Sequence, residues 1–252
     1  MKYLIVNADD FGLSDGVNQG IIETVERGIV TSASLMVRQP AAVEAARYAR
    51  TAARLSVGLH LDLGEWTYNN GEWAPLYSVV ATTDAAAVKE EIERQLARFH
   101  SLLGRAPTHL DSHQHVHREE PVRSLMLGQA RHLGIPLRQC TPGIEYCGDF
   151  YGQGAEEEPI EDALTVAGLR RILERISFPV TELGCHPGYA QGLKTMYQHE
   201  RALEVTTLCA PAARSALIEL GFEVRSFHNV LDALRVVSLK TPKLKNGTAR
   251  RR

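Results

Sequence analysis

Acidic residues and histidines occur in this sequence at the ends of short apolar runs. Asp9 and Asp10 follow the first such run, His60 ends a later one, and His186 follows another. A carboxylate with two imidazoles is a common ligand set for a catalytic divalent ion and leaves positions open for water and substrate. Such an ion lowers the pKa of bound water and polarises a carbonyl group. These residue types therefore indicate metal-assisted hydrolysis.

A dense group of imidazoles surrounds Asp111; its members are His109, His113, His115 and His117. Strand alternation would place His113 and His115 on one face, and periodicity does not choose between them as metal ligands. Imidazole and carboxylate groups on an inward face need partners to offset the cost of desolvation. Together with Asp9 and Asp10, this group predicts a metal site.

Asp9 and Asp10 are adjacent, so strict strand alternation would point them to opposite faces of a sheet. Both can serve one pocket only if the chain leaves β geometry there, and Gly12 permits such a turn. Amide hydrolysis also needs a proton acceptor and a proton donor. Asp9 and His186 are available for these two tasks.

The elements that position these residues alternate between β-branched runs and segments with helical periodicity. We predict strands at residues 3–7, 29–37, 56–63, 108–116, 135–138, 180–185 and 223–227. Helices are predicted between Ser14 and Gly28 and at residues 41–53, 84–103, 121–133, 165–176, 198–209 and 211–221. This order favours an α/β fold, a distorted (β/α) TIM-like barrel that need not close completely, over an open doubly wound sheet. It forms one domain over residues 1–239, and its strand ends meet on one face.

Two segments interrupt the alternation, at residues 64–79 and 141–158, and both are predicted to be functional loops. The first contains Trp66 and Trp73. Aromatic faces at a barrel mouth can stack on a pyranose ring, so these residues are candidates for sugar binding. Packing of the loop onto the barrel is an equally good explanation of the same residues.

Composition describes an ordinary globular protein of 252 residues, 44% hydrophobic and 23% charged, with a formal net charge of −2. It gives no electrostatic reason to bind nucleic acid, and no apolar run is long enough for a transmembrane segment. The N-terminus lacks the pattern of a secretory signal, so we expect a cytoplasmic protein. Residues 240–252 carry only basic charges and are expected to form a flexible tail.

Five motifs together resemble the YdjC-like carbohydrate deacetylases, which include chitooligosaccharide and hopanoid-associated deacetylases. They are LIVNADDFGLSDGVNQGI at 4–21, IVTSASLMV at 29–37, VGLHLDL at 57–63, PTHLDSHQHVH at 107–117 and CHPGY at 185–189. The resemblance implies a hydrolase that removes N-acetyl groups from amino sugars or glycolipids. It implies that water bound to one Mg²⁺ or Zn²⁺ ion attacks the amide carbonyl.

The same resemblance implies that Asp10, His60 and His113 bind the ion and that His115 contacts substrate. The chain departs from the family pattern at Gln114, where a third consecutive histidine is often present. The loop after His60 is also shorter than in the chitobiose enzymes, so the exact sugar stays open.

The resemblance further implies that Asp9 is the general base and His186 the acid, similar to the wider polysaccharide deacetylase class. Arg138, in PLRQC, matches an arginine near the site in this family, and we expect it to orient Asp9 or the acetyl group. Phe150 and Tyr151, in DFYG, resemble a substrate-side loop.

Two other functions share parts of this pattern. Another metal-dependent amidohydrolase or deaminase would typically carry a His-x-His pair at the end of its first strand, where this chain has Asp9 and Asp10. A non-catalytic carbohydrate-binding barrel with a structural metal would bind sugar without releasing acetate. A homodimer is compatible with the sequence.

Overall fold

A computed structural model describes residues 2–69, 72–154, 160–191, 193, 195, 197–230 and 234. The strands are β1 (Lys2–Phe11), β2 (Ser32–Leu35), β3 (Ser56–Leu61), β4 (Gly64–Asn69), β5 (Glu72–Ser78), β6 (Leu110–Ser112), β7 (Glu145–Cys147), β8 (Val180–Cys185) and β9 (Phe222–Arg225). The helices are α1 (Asp15–Glu26), α2 (Ala42–Thr51), α3 (Ala85–Leu103), α4 (Val122–Leu133), α5 (Val166–Arg175), α6 (His199–Cys209) and α7 (Pro211–Glu219).

Seven strands form one parallel sheet in the order β6-β3-β2-β1-β8-β7, with β9 added beside β1. Strands β9 and β2 lie on the same side of β1: β9 pairs with residues 2–5 and β2 with residues 7–11. Arg138 follows a bridge to β6 and contacts Glu182 on β8, so the sheet is strongly curled. Within the described residues β6 and β7 do not pair. The structure confirms an α/β single domain whose parallel sheet is a curled half-barrel, and a complete TIM barrel is not confirmed.

Most helices bury one apolar stripe against the sheet, as their periodicity predicts. In α1, the Ser14 side chain accepts a hydrogen bond from the Val17 N–H, and Val17 and Ile21 are fully buried. Helix α3 begins after Asp84, whose side chain caps it, and ends at Gly104 in a left-handed conformation. Each buried aliphatic side chain contributes about 1.5–3 kcal/mol, so this core fixes the strand ends around the site.

The segment predicted as a loop at 64–79 is an antiparallel hairpin of β4 and β5. Gly64 has φ of 146°, and a Cβ there would lie 2.8 Å from the Tyr77 carbonyl oxygen. Glycine therefore permits the close approach that starts the hairpin. The second predicted loop, 141–158, contains β7, and its residues 155–158 lie outside the described part of the chain.

Two predicted strands are shortened or absent. The strand predicted at 108–116 ends at Ser112, because Gln114 and His115 adopt left-handed φ values of 49° and 55° in the 3-10 turn His113–Arg118. The segment 135–138 forms only a single bridge, between Leu137 and Leu110. Among the described residues, no helix has the length and apolarity to span a bilayer. The predicted tail at 240–252 lies outside them.

Candidate metal centre and active site

The end of β1 turns both of its aspartates toward one cavity. Asp10 has φ of 66°, and the pairing of β1 with β2 shifts register between Ala8 and Phe11. Asp9 and Asp10 are both buried and both line the cavity. The prediction that the chain leaves β geometry at this point is confirmed.

Asp10, His60 and His113 lie close enough to bind one ion. Asp10 Oδ1 is 3.4 Å from His60 Nε2 and 3.1 Å from His113 Nδ1. One donor atom from each residue lies within 4.8 Å of the other two, and all three residues are buried. A carboxylate and two imidazoles with solvent access on one side suit a divalent cation. The geometry therefore fits the ligand set that the motifs imply.

A second group, Asp9, His60 and Asp111, also satisfies the distance requirement. However, Arg138 forms ion pairs with Asp9 and Asp111 at 2.6 Å and 2.9 Å. This guanidinium group contacts both carboxylates of the second group and would repel an ion there, whereas in the first group Arg201 contacts only Oδ2 of Asp10 and leaves Oδ1 free of a guanidinium contact. The set containing Asp10 is the better cation site.

Each imidazole of the favoured set lies between two carboxylates. His60 Nδ1 is 2.8 Å from Asp111 Oδ1, and His113 Nε2 is 3.8 Å from Glu65 Oε2, while both rings also face Asp10. Burial alone would lower the pKa of each histidine, but the neighbouring carboxylates outweigh it. The pKa of His60 rises to about 10 and that of His113 to about 9. Without a bound ion, the carboxylates therefore favour the protonated form of both rings.

Arg138 fixes the orientation of Asp9. Its Nη1 and Nη2 donate to Asp9 Oδ2 and Oδ1 at 2.6 Å and 2.7 Å, and its Nε donates to Glu182 at 2.8 Å. Burial raises the pKa of Asp9, but the guanidinium group outweighs burial and lowers it below its ordinary value. Asp9 is therefore a carboxylate at neutral pH, held in one orientation by a bidentate pair.

His186 follows β8 and faces Asp9, with Nε2 3.8 Å from Asp9 Oδ2. Burial lowers the pKa of His186 to about 4, although Asp9 acts in the opposite direction. The imidazole is therefore neutral at pH 7. Its backbone N–H donates to Glu204, and the rings of Tyr151 and Tyr197 pack around it at centroid distances of 5.4 Å and 5.7 Å.

A cavity of about 540 Å³ is lined by Asp9, Asp10, His60, His113 and His186. Of the predicted substrate contacts, His115, Trp66, Trp73 and Tyr151 line it, and Trp73 is 55% exposed. Phe150 does not: it is fully buried in the main hydrophobic core. The predicted role of Phe150 as a substrate contact is therefore withdrawn, because its ring packs inward while that of Tyr151 faces the cavity.

Sequence reasoning missed several charged and aromatic residues of the site. Arg201 donates to Asp10 Oδ2 at 2.6 Å, and Tyr197 stacks on Tyr151 at 4.4 Å. Arg201 and Glu204 lie on α6, in the same buried stripe as Val205 and Leu208. Charged residues at helix positions that should be apolar were the available signal, because they require buried partners. The other missed residues are Glu65, Tyr146 and Glu182.

Comparisons with known proteins identify the family to which this chain belongs. The YdjC-like protein family model matches residues 3–219. A chitooligosaccharide deacetylase of Serratia marcescens is 34% identical, with 91% of this chain and 99% of that protein covered. A carbohydrate deacetylase of Geobacillus stearothermophilus is 33% identical, with 90% and 97% covered. A solved structure from Enterococcus faecalis V583, of a protein assigned to cellobiose-phosphate cleavage, matches with a TM-score of 0.70 at 27% identity, covering 91% of this chain and 98% of that one. The chain belongs to the YdjC-like family, as its motifs predict.

Proposed function

We propose that this protein is a metal-dependent carbohydrate N-deacetylase that removes acetyl groups from chitooligosaccharide-like substrates or N-acetylglucosaminyl conjugates. The observation that carries the proposal is the convergence of Asp10, His60 and His113 at a cavity wall that also presents Asp9 and His186. The deacetylase activity named for the two relatives supports the same reaction. Family membership disfavours the rival amidohydrolase or deaminase.

Asp10, His60 and His113 would hold one divalent ion, either Zn²⁺, which suits two imidazoles, or Mg²⁺. When bound, the ion would polarise the acetyl carbonyl and lower the pKa of a water molecule. Arg201 orients Asp10 through its contact with Oδ2. The ligand carboxylate is thereby held with Oδ1 directed at both imidazoles.

Asp9 is the proposed proton acceptor, because it is ionised at neutral pH and fixed by Arg138. His186 is the proposed proton donor to the departing amine. Donation requires the imidazolium form, which burial disfavours and the neighbouring Asp9 carboxylate favours, so His186 must gain a proton during the reaction before it gives one to the amine. His115 and the aromatic rings at the cavity would contact the sugar.

Acetate release from a panel of N-acetylglucosamine oligomers and conjugates, with and without chelator, tests the proposal. We expect release that stops on chelation and is lost in Asp9→Asn and His113→Ala, with the fold preserved by circular dichroism. His132→Ala, at an exposed histidine of α4, is the matched control and should be fully active. Sugar binding without acetate release would instead support the non-catalytic carbohydrate-binding alternative.

A further inference from the structure

The hairpin of β4 and β5 carries a buried carboxylate to the edge of the metal centre. Glu65, on β4, is only 6% exposed, and its Oε2 lies 3.8 Å from His113 Nε2. That nitrogen is itself buried and has no hydrogen-bond partner within the described part of the chain. Because Nδ1 of the same ring faces Asp10, Nε2 is the nitrogen left for an outer partner.

The other histidine of the centre shows what such a partner does. His60 faces Asp10 through Nε2 and holds Asp111 at 2.8 Å through Nδ1. Imidazoles that bind metal ions commonly donate their second N–H to a carboxylate, which fixes the tautomer and the ring orientation. For His113, Glu65 occupies the corresponding position. A movement of less than about 1 Å would bring the pair into hydrogen-bond distance.

Gln114 connects the hairpin to the same part of the centre. Its side-chain amide accepts from the Trp66 N–H at 2.9 Å and donates to the Trp66 carbonyl oxygen at 2.7 Å. Gln114 is adjacent to His113, and Trp66 is adjacent to Glu65. The two hydrogen bonds between Gln114 and Trp66 therefore also fix the position of Glu65 relative to His113.

We propose that Glu65 is a positioning residue that orients His113 for the ion. We further propose that Gln114 holds Glu65 in place through its two hydrogen bonds to the main chain of Trp66. The proposal rests on the proposed function, since it takes His113 as a metal ligand. It gives the hairpin a task at the metal centre in addition to any contact with sugar.

Affinity for Zn²⁺ and for Co²⁺, measured by calorimetry on the metal-free full-length protein, tests the proposal, together with the visible spectrum of the Co²⁺ form. We expect Glu65→Ala to weaken binding about 10- to 100-fold and to alter the Co²⁺ spectrum. Glu65→Gln, which keeps an acceptor oxygen, should recover part of the loss. Gln114→Ala should weaken binding in the same direction but less.

Glu72→Ala is the matched control, because Glu72 is an exposed glutamate on the same hairpin, and its affinity should equal that of the wild type. Unchanged affinity and spectrum in folded Glu65→Ala would overturn the proposal. Equal losses in Glu65→Ala and Glu72→Ala would also overturn it, because the effect would then belong to the hairpin as a whole. A wild-type protein that binds neither ion would instead refute the proposed function.

Discussion

Adding a divalent ion to the metal-free protein at pH 7.5 is expected to release close to two protons. His60 and His113 have pKa values of about 10 and 9 because each ring lies between two carboxylates that outweigh the effect of burial. Both rings are therefore almost fully protonated at this pH. A nitrogen that binds the ion must first lose its proton.

The cost of this deprotonation follows from the same two values. Each pH unit below a pKa costs about 1.4 kcal/mol, so removing both protons at pH 7.5 costs roughly 5 kcal/mol. The pKa value for His113 already includes repulsion from the charged His60 ring, so this repulsion does not reduce the cost further. The apparent affinity for the ion should rise by up to about 100-fold per pH unit between pH 7 and 8.5.

Calorimetric titration of Zn²⁺ into the metal-free protein in two buffers of different ionisation enthalpy counts the protons released. His113→Ala should release about one proton fewer than the wild type if it still binds the ion. Release of less than half a proton by the wild type, or an affinity that does not change with pH, would refute this reading of the carboxylate contacts.

Three further predictions address stability and substrate binding. Arg138→Met should lower the free energy of unfolding in urea by about 3–5 kcal/mol, because it leaves buried carboxylates unpaired, whereas Arg170→Met, at an exposed ion pair, should cost under about 1 kcal/mol; similar losses would contradict this. Four buried or partly buried histidines have pKa values lowered by burial to between about 3 and 4, whereas in the unfolded chain they bind protons below pH 6.5. The urea midpoint should therefore fall as pH drops from 6.5 to 4, and a constant midpoint would contradict these lowered pKa values. These histidines are His109, His115, His117 and His186. Trp66→Ala and Trp73→Ala should each raise KM several-fold in acetate-release assays, because each removes an aromatic ring on which a pyranose ring could stack. Unchanged KM and kcat in folded variants would contradict sugar binding by these residues.

The strand ends that carry the site could be predicted because the signals for them are local. An apolar run followed by Asp9 and Asp10, with Gly12 nearby, already required a break from strand geometry, and the structure has it at Asp10. Periodicity could not choose between His113 and His115, because it treated both as strand residues. The chain leaves β6 at Ser112, so their orientation depends on a left-handed turn that alternation does not describe.

Features that depend on contacts between distant segments were not predicted. Closure of a sheet depends on whether its edge strands meet, and local hydrophobic patterns do not encode that pairing. The hairpin at 64–78 was read as a loop because its glycine and aromatic content resembled one. Arg201 and Glu204 do not stand out from the helical periodicity of α6, because periodicity does not show what a buried charge contacts.

The charged residues around the centre leave it with an excess of negative charge. Arg138 is shared among Asp9, Asp111 and Glu182, while Arg201 pairs with Asp10, so these carboxylates outnumber the guanidinium groups. An excess of negative charge in a buried site is costly unless positive charge is added. Protons on His60 and His113 can supply that charge, or a divalent ion can, but both cannot occupy the same nitrogen atoms. These charged residues therefore determine the charge and the position of the bound cation more strongly than the identity of the metal.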